Sequence, residues 1–84
     1  MESVITVKPK ENYQLELKFN TGETKIFDAK EYLEKGIFKQ LKDVSLFKQA
    51  YVAFDTVCWS GNLDISPLTL YDKSVAVKSA FSVD

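Results

Sequence analysis

Tyr13-Gln14-Leu15-Glu16-Leu17-Lys18-Phe19 alternates large apolar and polar side chains without a break over seven positions. Side chains on an extended backbone point to opposite faces with a period of two. The stretch therefore predicts a half-buried strand with Tyr13, Leu15, Leu17 and Phe19 on one face. Upstream, Val4-Ile5-Thr6-Val7 is a β-branched run and a second strand, closed by a turn at Pro9-Lys10-Glu11-Asn12. Downstream, Asn20-Thr21-Gly22-Glu23 reads as a polar loop, with Gly22 where a left-handed backbone is needed. Thr24-Lys25-Ile26-Phe27 resumes as a third strand. The first third thus predicts an antiparallel meander.

Beyond it the periodicity changes. Asp28-Ala29-Lys30-Glu31 fits a capping box: Asp28 would accept from the free amides of a helix start while Glu31 reaches back. Tyr32 and Leu33 supply the apolar side of that helix, and Gly36 is placed to end it. Ile37 to Leu41 predicts another short helical turn, and Asp43 or Ser45 is placed to cap a third from Leu46 to Ala50. From Tyr51 to Trp59 bulky residues return, with Asp55-Thr56 either a tight turn between two strands or a polar interruption in one. Ser60-Gly61-Asn62 signals a turn. Ser66-Pro67 reads as an N-cap followed by proline at the first helical position, so Pro67 to Tyr71 predicts a terminal helical turn. Val75-Ala76-Val77 is a candidate edge strand. The fold expected is α+β in a single domain: a three-stranded N-terminal meander, two or three short helices, one or two further strands and the terminal helical turn.

Composition narrows the chemistry. Eighty-four residues with 45% hydrophobic and 13% aromatic content can build one modest core. The net charge is −1, and all eleven basic residues are lysine. Without arginine, bidentate reading of phosphate or guanine is lost, so nucleic acid is not an expected partner of the chain alone. Without histidine, His-assisted nucleophilic catalysis and most transition-metal sites are excluded. No cofactor or metal is expected, since Asp64 with Asp55 or Asp72 matches no calcium-loop spacing. One cysteine cannot form an internal disulfide, no segment reads as a secretory signal, and no apolar run approaches the roughly 18 residues that span a bilayer. A soluble, cytoplasmic location is expected, without a membrane partner.

Tyr13, Leu15, Phe19, Gly22-Glu23, Phe27-Asp28, Tyr32-Leu33, Gly36 and Phe38 occur in an order that continues through Leu41-Lys42-Asp43 and Phe47. Trp59, Gly61, Asp64-Ile65-Ser66-Pro67 and Leu70-Tyr71 complete it. From about Val4 to Tyr71 this order resembles the small bacterial domain of unknown function 2442, with residues 72–84 left as an extension. The chain departs from the family pattern at Ser60, where Asn is frequent, and at the bulky Leu63. The resemblance implies an α+β fold with no assigned activity. It also implies a gene neighbourhood shared with a second small protein, in the manner of a toxin–antitoxin pair.

Trp59, Asp64 and Tyr71 are the candidate binding residues, and no catalytic residue is assigned. Trp59 either anchors an interface or closes the core. Asp64 either contacts a ligand or bonds turn amides and helps Ser66 cap the last helix. Tyr71 either serves the same site or ties its helix down through the hydroxyl. Cys58 has no neighbouring cation to lower its pKa and reads as inert. The mixed lysines and acids of the helical middle describe a solvated face. The expected function is a non-catalytic protein-binding module whose partner is another small protein or a second copy of itself. The alternative is a small-ligand-binding or enzyme-like domain built on Trp59, Asp64 and Tyr71, and a third reading is antitoxin-type nucleic-acid binding together with a partner.

Overall fold

A computed structural model describes residues 2–77. Its strands are Val4–Lys10 (β1), Gln14–Phe19 (β2), Thr24–Asp28 (β3), Tyr51–Ala53 (β4), Thr56–Trp59 (β5), Leu63–Ile65 (β6) and Val75–Ala76 (β7). Two α-helical segments, Val44–Phe47 (α1) and Pro67–Lys73 (α2), and 3-10 turns at Glu11–Tyr13, Lys30–Tyr32 and Gly36–Lys42 complete the order. The fold is α+β. One antiparallel sheet runs β1-β2-β3-β7 and a second runs β4-β5-β6. Among the described residues no helix is long and apolar enough to cross a membrane.

The alternation in β2 sets the layering. Leu15, Leu17 and Phe19 are fully buried, and they pair across the ladder with Phe27, Lys25 and Val4 in one direction or the other. Against this face packs the inner face of the second sheet, from Val57, Trp59, Leu63 and Ile65. Leu33, Leu41, Phe47 and Leu70 close the gaps from the helical segments. The Trp59 indole donates to the Phe47 carbonyl at 3.0 Å and stacks on the Phe47 ring, so α1 is fastened to β5 by one side chain.

Several expectations change. The strand at Val4 does not stop before Pro9 but runs through it to Lys10, with Pro9 opposite Leu15. Proline is tolerated because β1 is an outer strand and needs no donor on its free side. The turn that follows is tighter than expected: Asn12 and Tyr13 both take left-handed backbone, φ 61° and 58°. Tyr13 is therefore outside the strand, although its ring still packs edge-on against Phe47 and its hydroxyl donates to the Lys42 carbonyl at 2.5 Å. No capping box forms at Asp28. It ends β3, its carboxylate accepts from the Lys30 amide, and Ala29 occupies the cap position of a three-residue 3-10 turn. Gly36, at φ 46°, opens the next helical run and does not end the previous one. Of the two proposed caps for the third helix, Asp43 serves, accepting from the Ser45 amide, and that helix begins at Val44 and ends at Phe47.

The second sheet has three strands, one more than the upper expectation before β7 is counted. Leu63-Asp64-Ile65 is too short to show a period, yet it pairs with Val57-Cys58-Trp59. The Tyr51–Trp59 ambiguity resolves into a hairpin whose two-residue turn is Phe54-Asp55, one position earlier than Asp55-Thr56. Ser66 caps α2 as expected, accepting from the Thr69 amide, and that helix runs two residues past Tyr71. Val75 and Ala76 form the expected edge strand against β3, with the Val77 amide bonded to Thr24.

Candidate functional site

The second sheet is short, and its register decides which residues it offers to solvent. Tyr51 and Asp64 both lie opposite Cys58, on β4 and β6 respectively, so the three point the same way, away from Trp59 and Val57. Two strand spacings of about 4.8 Å separate Tyr51 from Asp64. At the hairpin tip Phe54 is 89% exposed, and Tyr51 is 48% exposed. Together with Gly61 and Asn62, these residues line a hollow of about 220 Å³. Trp59 borders it but is only 1% exposed, so it contributes to the floor and not to a binding surface.

The three residues singled out from the sequence are thus separated. Trp59 faces the core. Asp64 faces solvent, and its carboxylate makes neither an ion pair nor a hydrogen bond among the described residues. Tyr71 lies on α2 against the first sheet and does not line the hollow. Its hydroxyl donates to Glu23 at 2.5 Å, its carbonyl accepts from the Lys25 ammonium at 2.6 Å, and that ammonium lies 3.8 Å from the Tyr71 ring centre. The ring meets Phe19 edge-on. Four contacts to one residue, three of them through its side chain and all to the first sheet or its loop, make Tyr71 the tether of α2.

The electrostatics follow from these contacts. The Glu23 carboxyl is held below the ordinary glutamate value, first by the Tyr71 hydrogen bond and then by that of Thr21. The Tyr71 phenol is raised in turn, chiefly because its proton is shared with Glu23. The Cys58 thiol is pushed up, first by burial and then by the charge of Asp64, so it stays protonated and weakly nucleophilic. No group of three His, Cys, Asp or Glu side chains among the described residues is placed to hold a metal ion.

Two participants escape the sequence reading. Phe54 looks like one more strand residue, and only the position of the turn exposes it. Lys25 lies on the inner face and is 8% exposed, where the charge of its side chain gave no hint of burial. A signal for Phe54 does exist, since Phe-Asp stands where a two-residue hairpin turn favours Asn-Gly.

Over residues 4–76 the chain matches the family described as protein of unknown function DUF2442, and it belongs to that family. The match reaches five residues beyond Tyr71, taking in β7, so the family domain is longer than the stretch carrying the resemblance. No curated protein and no solved structure gives a significant match.

Proposed function

From membership in a family without an assigned activity, we propose that this chain is a non-catalytic protein-binding module that engages its partner through the outward face of the second sheet. One observation carries the reading: Tyr51 and Phe54 stand exposed around a hollow that also holds the unpaired carboxylate of Asp64. Exposed aromatic side chains beside a polar group are the usual composition of interface anchors. The hollow, about 220 Å³, is smaller than the roughly 300–1,000 Å³ typical of small-molecule sites, which favours a partner's side chain over a metabolite.

The first partner to test is the second small protein that the family resemblance implies beside the gene, with the pair acting as a two-gene module in the cytoplasm. Co-expression followed by size-exclusion chromatography checks this. The two products should co-elute, and Phe54→Asn should separate them. Elution as two unassociated species would count decisively against the pairing. Migration of the chain alone as a dimer that Phe54→Asn dissociates would replace the second protein with a second copy.

A further inference from the structure

The hollow on the second sheet has a chemical bias that goes beyond its being exposed. We propose that it receives the guanidinium group of an arginine side chain from a different protein. This deepens the interaction reading above and rests on it.

Three observations converge. First, the walls suit a planar cation. Tyr51 and Phe54 offer two exposed aromatic faces, and Asp64, across the sheet from Tyr51, offers a carboxylate with no competing partner among the described residues. A cation is drawn to the face of an aromatic ring, and guanidinium does this while also donating two parallel hydrogen bonds to a carboxylate. An ammonium is a more strongly hydrated point charge and makes the stacking contact less well.

Second, the charge distribution is one-sided. Between Lys48 and Lys73 the chain carries Asp55, Asp64 and Asp72 and not a single lysine. The overall charge of −1 conceals this, because the lysines are gathered in the rest of the molecule. An incoming cation therefore meets an acidic segment with no cation of its own to compete for Asp64.

Third, the wall at Phe54 is held there at a cost. Its backbone is left-handed, φ 53°, followed by Asp55 at 65°, a geometry that Asn and Gly accept and that a bulky residue resists. Burial gives nothing in return at 89% exposure. A phenylalanine kept in a strained turn and in water is explained by what it touches when a partner is bound. The chain has no arginine, so the occupant cannot come from a second copy.

The test is a titration of ¹⁵N-labelled protein with N-acetyl-arginine amide, read by amide chemical shifts. Saturable shifts confined to residues 51–64 are expected, with a Kd on the order of a millimolar for so small a ligand. Asp64→Asn and Phe54→Asn should each weaken binding about five- to tenfold with the fold intact, since neither removes a buried contact. N-acetyl-norleucine amide should leave these amides unmoved. Shifts that never saturate, shifts elsewhere, or indifference to Asp64→Asn overturn the proposal, and an equal response to N-acetyl-lysine amide overturns the choice of guanidinium. Co-elution with a partner alongside a failed arginine titration would sink this inference and leave the binding-module reading standing. A positive titration without co-elution would keep the arginine site and remove only the neighbouring gene product as the source of that arginine.

Discussion

On the four-stranded sheet the outward positions are Thr6, Lys8 and Lys10 from β1, Gln14, Glu16 and Lys18 from β2, and Thr24, Ile26 and Asp28 from β3. On the three-stranded sheet they are Tyr51 and Ala53, Thr56 and Cys58, and Asp64. Both sheets bury their other face in the same core. The first set is mostly polar and charged, as water favours, with Lys10 and Glu16 forming a 3.5 Å ion pair and one apolar spot where Ile26 lies beside the exposed Val75 of β7. The second set is not. It places an aromatic ring and a buried thiol where solvation would favour lysine and threonine, and it adds an exposed phenylalanine at the turn. One face is explained by folding and the other is left over, and the leftover is where recognition is to be sought.

The comparison can be broken most forcefully from inside. If the inner face of the second sheet is structural, Trp59→Ala should cost about 3–5 kcal/mol, a large part of the stability of a domain this size. Chemical denaturation would show this as a collapse of the midpoint. Trp59→Phe keeps an aromatic ring in the core but removes the indole donor, leaving the Phe47 carbonyl only the longer 3.3 Å bond from the Ala50 amide, and a loss of about 1–3 kcal/mol is expected. A Trp59→Ala variant of wild-type stability would mean that the layering is wrong.

Phe54 gives the opposite sign. Phe54→Asn should raise stability by about 1 kcal/mol, because the left-handed turn no longer carries a bulky side chain and no buried contact is lost. Thermal unfolding of the two proteins checks it. A variant that melts lower would show that the ring supports the fold and is not held for a partner.

Tyr71 sharpens the contrast through pH. A carboxylate whose pKa is depressed on folding contributes stability that is fully present above its unfolded value, about 4.3, and is lost as pH falls through the folded value. Glu23 is such a group, and Tyr71 is the first cause. Tyr71→Phe should therefore lower stability at neutral pH and flatten its decline on acidification below about pH 5, measured by denaturant midpoints across that range. A parallel offset at every pH would show that the hydrogen bond is not what holds Glu23 down. The smallest effect belongs to Asp64: Asp64→Asn should move stability by no more than about 0.5 kcal/mol, since the side chain is exposed and unpaired. A larger loss in thermal unfolding would return Asp64 to a structural role.

The class of fold was legible because β2 is long enough to show its period. The cap at Ser66 and the turn at Gly22 were legible because one residue type meets one backbone need. Three residues of β6 cannot display alternation, so Leu63-Asp64-Ile65 carries no strand signal of its own. The turn in the Tyr51–Trp59 stretch reverses the faces, and a count of alternation cannot locate a reversal of two residues. Phe54 and Trp59 therefore look alike in the sequence and end on opposite sides of a sheet. Lys25 was hidden for a related reason: strand pairing with Leu17 turns it inward, and the partners that make its burial tolerable, the carbonyl and ring of Tyr71, lie 46 residues away. The candidate site was legible in Asp64 alone, because exposure of the aromatic pair depends on pairing and not on composition.

The strand β1 carries one more implication. An outer strand with a continuous row of free amides is a template on which any extended chain can add, including a misfolded copy of the same protein. Here the row is interrupted: the Val4 amide is already bonded to Asp55, the register is bulged between Val4 and Thr6, and Pro9 has no amide hydrogen. Fibril growth along this edge finds no unbroken ladder to extend. The same interruptions deny a legitimate partner that route, so whatever binds along this side must recognise side chains and not backbone.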